Sequence, residues 1–197
     1  MTRRFFLSAL VLAAGILGMS GLTGLDTSNA QAQTTKKERN LEDTLYLDLK
    51  DGRVTIKMRP DLAPNHVARI KELVREGFYD GVVFHRVIDG FMAQTGDPTG
   101  TGRGGSGQNL DAEFSLEPHK RGTLSMARAQ SPNSADSQFF IVFDDAGFLD
   151  NQYTVWGEVI DGMEHVDKIK KGDQAQNGAV DDPDKIIKMQ VAADAEK

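Results

Sequence analysis

The sequence predicts a mainly β fold in which eight short strands form a closed antiparallel barrel, accompanied by two α-helices. Three observations carry this reading. Short runs of alternating apolar residues recur at close spacing, an Asp-Gly pair joins the first two runs, and only two stretches switch to helical spacing. Closure into a barrel removes the free edges that so many short strands would otherwise expose.

Leu45, Leu47 and Leu49 alternate with polar residues up to Asp51-Gly52, and Val54, Ile56 and Met58 alternate after it, the pattern of a hairpin. From residue 61 to 77 the period changes. Val67, Ile70 and Val74 recur at helical spacing, with Asp61 or Asn65 as the expected cap and Gly77 as the stop. Further strands are expected over 82–88, 91–95, 123–127, 138–143 and 153–159. A second helix is expected over 163–170, where Met163, Val166 and Ile169 share a face, and the last strand over 185–191. The chain shows no internal repeat.

The chain has 197 residues and no cysteine, with 23 Lys plus Arg against 29 Asp plus Glu, which fits one domain. Arg3 and Arg4, an apolar run from Phe5 to Leu22 and a closing Ala30-Gln31-Ala32 read as a secretory signal peptide over 1–32, cleaved after Ala32. The Arg3-Arg4 pair followed by Phe6-Leu7 is of the twin-arginine export type. A membrane anchor is the alternative, since about 18 apolar residues just span a bilayer, but the glycines and serines make a weak span. Periplasmic export is therefore expected, with membrane contact only through an uncleaved signal. Loss of Arg3, Arg4 and Asp26 leaves 21 basic and 28 acidic residues, a net charge near −7 that argues against nucleic acid as a partner. Residues 33–43 are polar without apolar period and read as a flexible tether to a domain over 44–197.

The segment from Phe84 to Gly96 sets Arg86 and Gln94 among large apolar side chains on strand-like sequence. Alternation puts Phe84, Arg86 and Ile88 on one face, and Met92 and Gln94 on one face of the next strand, with Asp89-Gly90 as the turn. Arg86 cannot be deprotonated and is costly to bury unpaired. It therefore either joins a structural ion pair or lines a cleft where a ligand meets it.

Two later segments, Leu-Ser-Met-Ala-Arg-Ala from Leu124 and Ser-Gln-Phe-Phe-Ile-Val from Ser137, follow in order. With the first, they resemble the cyclophilin family of peptidyl-prolyl cis-trans isomerases from about residue 44 to 190. The resemblance implies eight antiparallel strands in a barrel with a helix at each end, no cofactor and no metal. It implies that Arg86 donates to the prolyl nitrogen and that Gln94 orients it. It implies a proline pocket of Phe91, Met92, Phe140 and Leu149, and a wall of Ala127, Arg128, Ala129 and Gln138 for the residues before proline. Alternation supports Met92 with Gln94 and Gln138 with Phe140; Phe91 beside Met92 rests on the family alone. A monomer acting on proline-containing polypeptides, aiding the folding of exported proteins, is the expected enzyme. A cyclophilin-like module that holds such segments without turnover is the other reading, and retention of Arg86, Phe91, Met92, Gln94 and Phe140 favours the enzyme.

Three positions depart from the familiar pattern. Arg128 stands where asparagine is common, Tyr153 where many members have histidine, and Phe148 where a tryptophan helps to bind cyclosporin. Phe148 and Tyr153 are placed at the pocket rim, and cyclosporin binding is expected to be weak. Among rival motifs, Gly100 to Gly105 satisfies a G-x-G-x-x-G string but lacks the preceding strand and following helix of a dinucleotide site, and reads as a flexible loop beside the cleft. His66, His85, His119 and His165 have no metal spacing, and no Ser-His-Asp grouping is legible.

Overall fold

The computed structural model describes residues 41–195. The expected signal peptide and most of the expected tether lie outside the described residues. Glu42 and Asp43, at the end of that tether segment, form 2.7 Å ion pairs with Arg75 and Lys71 respectively.

Strands β1 (Thr44–Leu49) and β2 (Gly52–Met58) form the expected hairpin, with Leu45 opposite Ile56 and Leu47 opposite Val54. Every apolar residue of the two alternating runs is buried. Gly52 has a φ of +145°, and a Cβ there would lie 2.5 Å from the His165 ring, so the turn requires glycine.

Helix α1 (Pro64–Arg75) buries Val67, Ile70, Leu73 and Val74. Its start differs from the sequence expectation, because neither Asp61 nor Asn65 is the cap. Ala63 holds that position and Pro64, which has no N–H to satisfy, opens the first turn. Asp61 is taken by Arg59 at 2.8 Å. The free N–H groups of Asn65 and His66 donate instead to Glu113, at 3.1 and 3.0 Å, so a carboxylate from a distant loop meets the positive end of the helix.

The remaining elements are β3 (Arg86–Ile88), β4 (Met92–Thr95), β5 (Thr123–Met126), β6 (Phe139–Val142), β7 (Val155–Asp161), α2 (Met163–Asp167), β8 (Lys188–Val191) and α3 (Ala192–Ala195). The strand expected over 82–88 is regular only from Arg86. Phe84 donates its N–H to the Asp184 carbonyl at 2.8 Å and turns its ring into the main core. It does not share the face of Arg86 and Ile88.

The strands form one antiparallel sheet in the order β3-β4-β6-β5-β7-β2-β1-β8. This corrects the closed barrel to an open half-barrel, whose free ends are β3 and β8. The two ends do not zip together because the outer edge of β3 is taken by residues 172–179, with Arg86 bridging Ala179, and the seam is one isolated bridge, Val83 to Lys185, flanked by hydrogen bonds of Phe84 and Ile186. Both edges are nonetheless covered. Val87 exchanges backbone hydrogen bonds with Gly178 and Gly172, and Asp80 accepts from the Met189 N–H at 2.9 Å.

Strand β6 is buried on both faces. Phe139 and Ile141 point into the main core with Leu47, Ile56, Ile70 and Trp156, while Phe140 and Val142 join Met92, Ala146 and Leu149 in a smaller cluster on the other face. That second cluster is the floor of the site.

Candidate functional site

Strand register assembles the site. Arg86 stands opposite Gln94, Gln94 opposite Phe140 and Phe140 opposite Ser125, one row running across four strands. Beside it Ile88, Met92 and Val142 form a second row. The two rows put a cation and an amide at the border of an apolar floor.

Arg86 is half-buried, and among the described residues no carboxylate pairs with it. Its Nε donates to the Asn177 carbonyl at 3.0 Å, Nη2 to the Asn177 side-chain oxygen at 3.0 Å and Nη1 to Gln94 Oε1 at 3.1 Å. Three of the five guanidinium N–H groups are thus committed and two are free. Burial lowers the guanidinium's proton affinity from its usual value, with the nearby Tyr153 phenol opposing that, and the group remains a cation at neutral pH. Among the described residues the structural ion pair therefore has no partner.

Gln94 is fixed in turn. Its oxygen accepts from Arg86, so its amide N–H donates to Gln138 Oε1 at 2.9 Å, and Gln138 donates to the Gly104 carbonyl at 2.7 Å. Each amide's orientation follows from its neighbour's.

Above this row lies a cavity of about 440 Å³, lined by Arg86 and Gln94 on one side and by Phe91, Met92, Phe140 and Leu149 below. Ala127, Arg128, Tyr153 and Phe148 complete its rim. Phe91 and Phe148 pack at 5.4 Å between ring centroids, Tyr153 stands edge-on to Phe140 at 6.0 Å, and the Arg128 guanidinium lies 4.6 Å over the Tyr153 ring. Phe148 is 66% exposed, so it overhangs the mouth rather than filling it. The remaining expected site residues, Ala129 and Gln138, line an adjoining polar cavity that shares Gln94, Ala127 and Arg128. The structure brings all twelve expected residues together.

Residues 44–191 match the family model described as cyclophilin type peptidyl-prolyl cis-trans isomerase. The chain belongs to this family. It is an isomerase of X-Pro peptide bonds. A probable peptidyl-prolyl cis-trans isomerase of Brucella suis is 58% identical over 175 residues, covering 83% of this chain and 89% of that one. The Helicobacter pylori peptidyl-prolyl cis-trans isomerase is 43% identical over 143 residues, 70% of this chain and 87% of that one. Among solved structures, a Cryptosporidium parvum cyclophilin in the presence of the dipeptide Ala-Pro has a TM-score of 0.69 at 30% identity, covering 75% of this chain and 98% of that one.

Several parts of this cyclophilin's site were missed in the sequence. Asn177, which grips Arg86, sits 91 residues away; its φ of 56° is one that asparagine tolerates, and the Asn177-Gly178 turn pair is the only local signal. The loop over 100–105 lies beside the cleft as expected, but it is wound around buried Asp97. That carboxylate accepts from the N–H groups of Thr99, Thr101 and Gly104 at 2.7, 3.0 and 3.1 Å. Burial alone would raise this carboxyl, but the Thr99 hydroxyl and the loop's N–H groups outweigh it and hold the group well below the usual carboxylate range.

A Ser-His-Asp grouping, illegible in the sequence, does exist in the cyclophilin structure. His119 Nδ1 lies 2.9 Å from Asp150 Oδ1 and its Nε2 3.0 Å from Ser125 Oγ. The His119 ring is stacked on Phe140, and Ser125 and His119 are 0% and 1% exposed. Ser125 is sealed from solvent and its hydroxyl donates to the Thr154 carbonyl at 3.0 Å, so the chain of polar groups supports the pocket floor rather than supplying a nucleophile. Among the described residues no group of three His, Cys, Asp or Glu is placed to hold a metal, and no helix is long and apolar enough to cross a membrane.

Proposed function

We propose that the cyclophilin works in the periplasm, accelerating rotation about X-Pro bonds of exported proteins and so assisting their folding, with Arg86 as the donor that stabilises the twisted amide. Rotation meets a barrier of about 18–20 kcal/mol because it breaks amide resonance. No covalent bond has to break. The twisted state has a pyramidal, more basic prolyl nitrogen, and catalysis consists of binding that state better than either planar form. Turning over in about a millisecond what otherwise takes tens to hundreds of seconds requires a factor near 10⁵, about 7 kcal/mol. One preorganised donor supplies about 3–4 kcal/mol of that.

In this reading the free N–H groups of Arg86 meet the prolyl nitrogen, and Gln94 holds the fork in register. Phe91, Met92, Phe140 and Leu149 hold the proline ring while the carbonyl side turns, under a rim of Phe148 and Tyr153. Ala127, Arg128, Ala129 and Gln138 receive the residues before proline. The observation that carries the reading is a guanidinium that, among the described residues, has no carboxylate partner and keeps two free donors at the edge of an apolar cavity. The Ala-Pro dipeptide of the Cryptosporidium parvum structure supports a prolyl ligand. The periplasmic setting is supported by the Arg3-Arg4 pair, the apolar run and the Ala30-Gln31-Ala32 site.

The test is a protease-coupled or NMR exchange assay on a short X-Pro peptide. Arg86→Ala is expected to lower kcat/KM by hundreds-fold with the circular dichroism spectrum unchanged, and Arg86→Lys to restore little, since an ammonium has no planar fork. Wild-type turnover in a folded Arg86→Ala protein would remove Arg86 from the mechanism.

A further inference from the structure

The apolar cavity opens past Gln94, Ala127 and Arg128 into the polar one, which has a volume of about 460 Å³ and is walled on its far side by Gly102, Arg103, Gly104 and Gly105. The charges in this second cavity do not balance. Its one carboxylate, Asp136, is already engaged: it accepts from the Ser106 N–H at 2.9 Å, from the Ser106 hydroxyl and from the Gly107 N–H at 2.8 Å. Arg69 stands behind that hydroxyl at 3.0 Å. Arg128 donates to the carbonyls of Gln152, Ala129 and Gln130, which fix its position, and no carboxylate among the described residues pairs with it. Arg103 is exposed, lines the cavity and pairs with no carboxylate among the described residues.

The backbone that carries Arg103 is pinned on both sides. Its own N–H donates to Thr101 Oγ1 at 3.2 Å, the next N–H, of Gly104, to Asp97 at 3.1 Å, and the Gly104 carbonyl accepts from Gln138. Little backbone freedom is left to be lost when a ligand arrives.

We propose that the polar cavity selects substrates with an acidic side chain two or three residues before the proline, with Arg103 as the specificity-determining residue and Arg128 adding to its field. The inference rests on the isomerase reading above. A peptide whose proline occupies the apolar cavity runs past Ala127 and, at about 3.3–3.6 Å per residue, reaches the polar cavity within two or three residues. An attraction at such a solvent-open mouth is worth about two- to fivefold, and salt screens it.

The experiment measures kcat/KM for peptides that differ only in carrying Glu, Ala or Lys at these positions, at low and high salt, for wild type, Arg103→Lys and Arg103→Glu. Wild type is expected to prefer Glu over Ala and Ala over Lys at low salt, with the order fading at high salt. Arg103→Lys should keep the order and Arg103→Glu reverse it. Equal rates on the three peptides, an unchanged Glu preference in Arg103→Glu, or a preference seen only when Glu follows the proline would overturn the proposal. Normal turnover of the Ala peptide in those cases would leave the isomerase reading standing; failure on the Ala peptide too would overturn both.

Discussion

Arg86 and Gln94 face each other across the β3–β4 pair, and the 3.1 Å bond from Arg86 Nη1 to Gln94 Oε1 sets the direction of every amide behind it. Gln94→Leu keeps the strand and the side-chain bulk but removes that acceptor. Loss of one such bond to a charged group, about 1.5–3 kcal/mol, predicts a roughly ten- to 150-fold fall in kcat/KM with little change in the thermal midpoint. Unchanged turnover would show that Asn177 alone holds the guanidinium.

His85 is expected to make the fold sensitive to mild acid. Both of its ring nitrogens are buried and, among the described residues, neither makes a well-formed hydrogen bond; burial lowers its proton affinity, Asp97 and the Val83 backbone partly oppose this, and Arg86 adds to it. A group with a depressed folded-state value gives stability that is present above its unfolded value, about 6.5, and lost as pH falls through the folded one. His85→Phe is therefore expected to flatten the decline of the denaturant midpoint as pH falls below about 6.5, measured as the difference from wild type. Parallel pH profiles for the two proteins would refute this.

Phe148 overhangs the cavity mouth and packs on Phe91, but offers no N–H where the resemblance puts an indole. A cyclosporin carbonyl buried there without a donor loses about 1–3 kcal/mol, roughly five- to 150-fold in affinity. Weak inhibition of the wild type and tighter inhibition of Phe148→Trp, at similar peptide turnover, are expected from inhibitor titrations. Tight inhibition of the wild type would show that Phe148 is not the controlling difference.

Export is predicted to depend on the two arginines near the start of the chain. Replacing Arg3 and Arg4 by lysine keeps the charge and should block the twin-arginine route, with unprocessed precursor accumulating. N-terminal sequencing of the exported wild type should begin at Gln33. Normal processing of the double-lysine form would point to the general secretory route.

Much of this protein is written in local sequence. The hairpin of β1 and β2 followed from two alternating runs about Asp51-Gly52, because side-chain period and turn chemistry are properties of neighbours along the chain. Arg86 stood out because an arginine among strand apolars has a desolvation cost that must be met somewhere. What the sequence could not carry was which distant group meets a local need. Asn177 holding Arg86, Glu113 capping α1 and Asp150 and Ser125 bracketing His119 each join residues far apart in the chain, or set by strand register. The open seam has the same origin. Eight strand signals count strands, but whether the last pair zips depends on which segment takes the outer edge of β3 and on where Phe84 turns inward, and only the tertiary structure decides that.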